Sequence, residues 1–184
     1  KIGLTVVGPE QPLVMGIVDQ FEEKGLRIFG PNARAAKLEG SKSFSKDIMK
    51  KYGLPTAEYE IFSSAESAAK YIKEKNCPLV VKADGLAAGK GVLLCQSSEE
   101  ALTAVDTIMR QRFFGKAGDQ IVVEEFLEGQ EISVLAFSDG QTVLLMDSAQ
   151  DHKAVYDGDK GPNTGGMGAY SPAPMFTEIM QQKA

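Results

Sequence analysis

Cysteine and histidine are nearly missing from this chain, with two and one among 184 residues, and tryptophan is absent. Cys77 and Cys95 form no CxxC pair and His152 stands alone, so a Cys/His zinc site is excluded and a reducing cytoplasm is the expected setting. No apolar run approaches the ~18 residues that a membrane-spanning helix needs. Positive charge is not in excess either. Twenty basic residues against 25 acidic ones leave a net charge of −5, and no Lys/Arg cluster is dense enough for a nucleic-acid footprint. No signal peptide is legible, because Lys1-Ile2-Gly3 leads straight into an apolar strand. The chain does not open on methionine and is expected to be a piece of a longer protein or a processed one.

What is present belongs to a globular protein: 43% hydrophobic, 24% charged and 8% aromatic residues. Taking ~150 residues per domain, there is room for one full domain, or a small one and part of another. Glycine is the informative excess, at 19 residues, and it clusters within Gly85–Gly91 and Gly158–Gly168. Such clusters suit loops whose backbone approaches a ligand.

Leu4–Val7 reads as a short strand ending at Gly8-Pro9-Glu10. Val14, Ile17, Val18 and Phe21 then recur at helical spacing up to Gly25, and Arg27–Phe29 reads as a second strand. This is a βαβ unit, so residues 1–40 are expected to be the end of a Rossmann-like domain, with ligands at the carboxyl ends of its strands. Ser41 caps a predicted helix through about Tyr52, ended by Gly53-Leu54-Pro55. Two capping boxes, Ser63 with Glu66 and Ser97 with Glu100, open predicted helices over roughly 65–75 and 99–112. Strands are expected at Leu79–Ala83, Val92–Cys95 and from Ile121. Ile132–Phe137 and Thr142–Met146 flank Ser138-Asp139-Gly140 as a hairpin. From Ser41 on, the pattern is α+β: an antiparallel sheet with helices on one side.

Three stretches carry candidate chemistry. Strand alternation puts Val80 and Lys82 on one face and Leu79, Val81 and Ala83 on the other, so the Lys82 ammonium needs an anionic partner. That partner is either a carboxylate of the chain or a bound anion. Asp84–Gly91 is a small-residue loop between two strands, able to offer backbone N–H groups and the Lys90 charge to a polyphosphate. It is neither a Walker A loop nor GxGxxG, because three residues separate Gly85 from Gly89 and Gly91 follows Lys90. It suits a flap closing on a nucleotide, with an ordinary tight hairpin as the alternative. Second, Val122–Glu131 runs a strand into carboxylates and apolar residues, offering backbone groups and an apolar slot to adenine, with Glu131 placed to accept from ribose hydroxyls; solvated acidic residues are the alternative. Third, Ser148–Lys153 and Gly161–Pro172 read as a binding loop. Nothing local supplies His152 with a triad, and it is not expected to act as a general base.

These elements in this order resemble the ATP-grasp superfamily and, within it, the glycinamide ribonucleotide synthetases (phosphoribosylamine–glycine ligases). The resemblance runs over essentially the whole chain. It rests on Gly8-Pro9-Glu10, Leu38-Glu39-Gly40-Ser41-Lys42, Val81–Val92, Glu124-Glu125-Phe126-Leu127, Gln150-Asp151-His152-Lys153 and, most specifically, Gly161–Pro172. It implies a partial ATP-grasp domain over 41–184, with a small lid subdomain at about 53–126.

The activity implied is ATP-dependent ligation of glycine to 5-phosphoribosylamine through a glycyl phosphate, in purine biosynthesis, with Mg2+ or Mn2+. Such phosphoryl transfer demands charge neutralisation and alignment more than a protein nucleophile. Carried over by position, Lys42 and Lys82 would reach the ATP phosphates, and Gly85, Gly89, Lys90 and Gly91 would form the flap. Glu124, Glu125, Phe126 and Leu127 would hold adenine and Glu131 the ribose. Gly8, Pro9 and Glu10 would border the phosphoribosylamine site. Asp151, Lys153, Asn163, Thr164, Gly165, Gly166 and Met167 would lie near glycine and the reacting phosphoryl group, with Lys82, Asp151 and Lys153 as the catalytic set. Family members extend beyond both ends of this sequence and carry their magnesium ligands past Ala184. No metal ligand is therefore expected here, and the piece alone is expected not to turn over. The alternatives are another ATP-grasp ligase or carboxylase, and a non-enzymatic nucleotide-binding module.

Overall fold

The computed structural model describes residues 1–184 apart from Asn76, Ala88, Gly89 and Ala184. The chain divides into two compact units, Lys1–Leu127 and Glu128–Ala184.

The first unit opens with β1 (Thr5–Val6), α1 (Glu10–Val14), α2 (Ile17–Glu23) and β2 (Ile28–Phe29), and β1 pairs with β2 in parallel, giving the βαβ unit expected from the sequence. The single helix expected over 14–21 is two helices. Gly16, at φ +81°, takes a left-handed conformation that interrupts the ladder. A helix that hydrophobic spacing did not reveal follows, α3 (Ala33–Gly40), capped by Asn32, whose side chain accepts from the Ala35 N–H. Then α4 (Lys42–Tyr52) starts at Ser41, whose hydroxyl accepts from the Phe44 N–H, and stops at Gly53 with φ +65°.

Next come β3 (Tyr59–Phe62), α5 (Ala65–Lys75), β4 (Leu79–Ala83), β5 (Val92–Cys95), α6 (Ser98–Val105) and β6 (Ile121–Glu125). A π-turn over Asp106–Arg110 and a 3-10 turn over Gly115–Gly118 lie between α6 and β6. The strands form one antiparallel sheet in the order β3-β6-β4-β5. One face carries Leu79, Val81, Ala83, Ile121 and Val123, packed against Ala68 and Ile72 of α5 and Ala101, Ala104 and Val105 of α6. Each fully buried Ile or Val there contributes about 1.5–3 kcal/mol. Ser64, not Ser63, caps α5: its hydroxyl accepts from the Ser67 N–H. Starting one residue later puts Ala65, Ala68 and Ile72 on the stripe facing the sheet. Ser97 caps α6 as expected, and the Glu100 carboxylate reaches back to the Gln96 N–H. Helices are not confined to one side, since Lys46 of α4 meets Glu124 on the opposite face.

The second unit holds a hairpin of β7 (Ala136–Ser138) and β8 (Val143–Leu145), a ribbon of β9 (Gln150–Tyr156) and β10 (Lys160–Tyr170), and the short α7 (Glu178–Gln181). The hairpin expected from Ile132 to Met146 is present but shorter, and it forms its own two-stranded sheet. Gly161–Tyr170, expected to be loop, is strand. Two register shifts, between Lys160 and Asn163 and between Asn163 and Gly168, let the glycine-rich segment stay paired with β9.

Candidate functional site

Register builds the first part of the site. On the face away from the α5/α6 core, Lys82 stands opposite Val122 and Val80 opposite Glu124, so Lys82 and Glu124 are diagonal neighbours across β4 and β6. The Lys82 ammonium lies 2.9 Å from Glu124 Oε2. From α4, one turn beyond Lys42, Lys46 brings a second ammonium to 3.2 Å from the same oxygen. Lys46 also donates to Thr56 Oγ1 at 2.6 Å and the Ala57 carbonyl at 3.4 Å, and lies 5.3 Å from the Tyr59 ring centre. The Glu124 side chain is 5% exposed, that of Lys46 10% and that of Lys82 25%. Glu124 Oε1 is buried without a hydrogen-bond partner among the described residues. Two ammonium groups on one carboxylate leave this buried trio with one positive charge in excess.

The second part is the junction of α4 with the end of β4. The Asp84 carboxylate accepts from the Ser43 N–H at 2.6 Å and from the Ser41 hydroxyl at 3.1 Å, while the Lys42 N–H donates to the Asp84 carbonyl at 3.1 Å. An anion at the first turn suits the positive end of the helix. Asp84 also donates its own N–H to Ala117 and Gln120. Lys42 Nζ donates to the carbonyls of Ala83 at 2.8 Å and Gly85 at 3.1 Å. Burial holds the Lys42 ammonium below its usual pKa; Asp84 opposes this and the Lys82 charge adds to it. Lys42, Lys82 and the root of the 85–91 turn thus gather at one end of β4. A cleft of about 520 Å³ beside them is lined by Glu10, Glu39, Lys42, Leu86, Gly91 and Val92, among others.

The remaining expected residues of this unit fall around that junction. In the turn, Lys90 is exposed and donates its N–H to the Ala87 carbonyl, Gly91 is buried against Ala87 and Ala83, and Gly85 faces Ala117. Gly89 lies outside the described residues. Gly8 follows the carboxyl end of β1 and Pro9 is the N-cap residue of α1, both exposed, while Glu10 begins that helix. Glu125 is tied to Glu58 twice, by its N–H to the carbonyl at 3.0 Å and by its carboxylate from the N–H at 2.9 Å. Phe126 is half-buried and Leu127 exposed beyond the end of β6.

In the second unit, Lys153 and Glu131 form an ion pair, and that hydrogen bond raises the Lys153 pKa. The sequence had assigned the two to different parts of a ligand. Asp151 sits opposite Ala169 and lines the bare backbone of Gly166, where an added Cβ would lie 3.2 Å from its carboxylate. Asn163 pairs with Ala154 across the ribbon, Thr164 Oγ1 accepts from the Gly166 N–H, and Gly165 and Met167 are exposed. The His152 and Tyr170 rings lie 5.7 Å apart, and no triad forms around His152 among the described residues.

Two residues escaped sequence reasoning. Lys46 had one signal, its i+4 spacing from Lys42 on α4. Asp84 had none beyond its place in the glycine loop, because its partners lie 41 to 43 residues away. No cluster of three or more His, Cys, Asp or Glu side chains gathers among the described residues, and no described helix is long and apolar enough to cross a membrane.

The antiparallel sheet, the turn after β4 and the lysines around it define an ATP-grasp fold, here in part. The D-alanyl-alanine synthetase A of Vibrio cholerae shares the fold at a TM-score of 0.70 and 16% identity, over 98% of this chain and 56% of that one. The particular family is fixed by sequence. Residues 40–184 match the phosphoribosylglycinamide synthetase ATP-grasp (A) domain and residues 1–39 its N domain, so the chain belongs to the phosphoribosylglycinamide synthetase family. A phosphoribosylamine–glycine ligase of Halalkalibacterium halodurans is 56% identical over 184 residues, all of this chain and 43% of that one. The crystal structure of a phosphoribosylamine–glycine ligase from Thermotoga maritima superposes with a TM-score of 0.77 at 37% identity, covering 91% of this chain and 41% of that one. The chain therefore spans about two fifths of the length of these relatives.

Proposed function

We propose that the chain is the nucleotide-holding portion of a ligase that joins glycine to 5-phosphoribosylamine with ATP, as the names of its relatives suggest. The observation that carries this reading is the convergence of Lys42, Lys82 and the 85–91 turn at one end of β4. Ammonium groups and peptide N–H groups fit phosphate oxygens, and this donor set is unsuited to holding a metal. A divalent cation, magnesium or manganese, would offset phosphate charge when bound, and no residue of this chain is assigned to it.

A carboxylate is a poor acyl donor because oxide would have to leave. Transfer of the γ-phosphoryl group to a glycine carboxylate oxygen releases ADP. Attack by the phosphoribosylamine nitrogen on the acyl carbon then releases phosphate and forms the amide. The residues described here act by position and charge. Lys42 and Lys82 hold the phosphates, Lys82 leaving Glu124 to do so. Gly85, Gly89, Lys90 and Gly91 cover them. The segment Glu124–Leu127 receives adenine, a reading supported by the half-buried Phe126 and exposed Leu127 just past the end of β6, and Glu131 receives the ribose. Gly8, Pro9 and Glu10 border phosphoribosylamine, and Asp151, Lys153 and Asn163–Met167 serve glycine and the transferred group. Residues 1–40 belong on this reading to a Rossmann-like domain and 41–184 to the ATP-grasp domain. The free thiols of Cys77 and Cys95 suit a reducing cytoplasm.

The full-length ligase carrying this segment is expected to sustain glycine-dependent ADP release through repeated turnovers only when phosphoribosylamine is also supplied. Release with bicarbonate and not with glycine would replace this reading with a carboxylase.

A further inference from the structure

The Lys82 ammonium lies 2.9 Å from the Glu124 carboxylate in the free protein, so a phosphate that draws on the same charge competes with that carboxylate for it. Leaving Glu124 would strand a carboxylate that is 5% exposed and already has one oxygen without a partner among the described residues. A buried carboxylate that loses its only cation is heavily penalised. Glu124, however, has a second cation on the same oxygen, Lys46 at 3.2 Å.

Lys46 itself reaches from α4 to β6, the 56–57 connector and Tyr59. Thr56 Oγ1, the Ala57 carbonyl and the Tyr59 ring fix its position. Its geometry is that of a standing counterion.

Building on the nucleotide reading above, we propose that Lys46 is a positioning residue: it keeps Glu124 neutralised so that Lys82 can pass from that carboxylate to a nucleotide phosphate. The free trio holds one carboxylate between two ammonium groups. In the bound state Lys46 and Glu124 remain as a one-to-one pair, and Lys82 carries its charge to the phosphate. Without Lys46, Lys82 and Glu124 form a closed pair that the phosphate must break. The cost falls on phosphate-bearing ligands and spares the nucleoside.

The test uses the full-length ligase and equilibrium binding of ADP and of adenosine. In Lys46→Gln, which keeps a donor toward Thr56 but no charge, the ADP Kd is expected to rise about tenfold or more while that for adenosine changes less than about twofold. Lys46→Arg is expected to restore ADP binding to within about threefold of the parent. The double exchange Lys46→Gln with Glu124→Gln leaves no buried charge to strand. It is expected to bind ADP within about threefold of Glu124→Gln alone, and this comparison decides the matter should Lys46→Gln fail to fold. Unchanged ADP affinity in Lys46→Gln, an equal loss for ADP and adenosine, or a tenfold gap between the double exchange and Glu124→Gln would each overturn the role of Lys46. Failure of the parent protein to bind ADP at all would overturn the nucleotide reading, and this inference with it.

Discussion

Lys42 shows how one side chain takes its chemistry from burial. Its ammonium is turned onto the Ala83 and Gly85 carbonyls, and loss of hydration lowers its pKa below the usual value of 10.5. A lowered value in the folded state means that folding disfavours the proton, so this contribution opposes stability at neutral pH and relaxes as pH rises toward the unfolded value. A bound phosphate acts in the opposite sense and favours the charged form. On the proposed reading, ADP affinity is therefore expected to fall as pH climbs through the lowered Lys42 value, and Lys42→Arg to flatten that fall; ADP titrations over a series of rising pH check both. On the same reading, Lys82→Ala in the full-length ligase would remove one charge-assisted phosphate bond, worth about 1.5–3 kcal/mol and more as charge develops. A loss of kcat/KM for ATP of about tenfold to a few hundredfold is expected in steady-state kinetics. That Lys82 needs an anion was legible in the alternation of its strand. That Glu124 supplies one was not, because the pair is 42 residues apart and depends on the register of β4 with β6.

Secondary-structure ends follow the same division between near and distant causes. Ser41, Ser97 and Gly53 act on residues within a turn of themselves, and their signals were readable. Between Ser63 and Ser64 the sequence alone does not choose, because either can precede Glu66; the choice is made by which start turns Ala65, Ala68 and Ile72 toward the sheet. Ser64→Ala is expected to lower stability by about 0.5–2 kcal/mol and Ser63→Ala by much less, measured as shifts in urea midpoint at constant slope. The 3-10 turn ahead of β6 was unreadable for another reason: its glycine is required by packing. A Cβ on Gly118 would lie 2.2 Å from the Ile108 carbonyl oxygen, where the π-turn crosses it. Gly118→Ala is expected to cost about 1–3 kcal/mol, by the same measurement, as the two turns are forced apart. The strand β3 was missed because its alternation is short and mixed, and its place in the sheet comes from pairing with β6, some sixty residues later.

For the molecule taken whole, the two units rest on different principles. The first has a continuous apolar core between sheet and helices. In the second, the buried residues are few and include Ser148 and Gln150, which bond to Ser171, Ala173 and Tyr170. A ligand that binds only the folded form adds stability by mass action, about 2.7 kcal/mol at a hundredfold excess over Kd. Saturating ADP is thus expected to raise the unfolding temperature of the full-length ligase by several degrees, and to do so less in Lys82→Ala, as calorimetry can record. The α/β beginning, the antiparallel sheet and the lysine-bearing strand were legible because each depends on a local period. The strand nature of Gly161–Tyr170 was not, since glycine gives no period and only its partner β9 reveals the ladder.

That ribbon carries a further consequence. A long strand with an unpaired edge is ordinarily a template onto which another copy can add, growing a fibre. The two offsets between β9 and β10 spoil the even spacing of donors and acceptors that such growth requires, and Gly166, at φ +124°, holds a backbone shape that few side chains tolerate. The irregularity that makes this segment look like a loop thereby also makes its edge a poor template for the regular addition of a further strand.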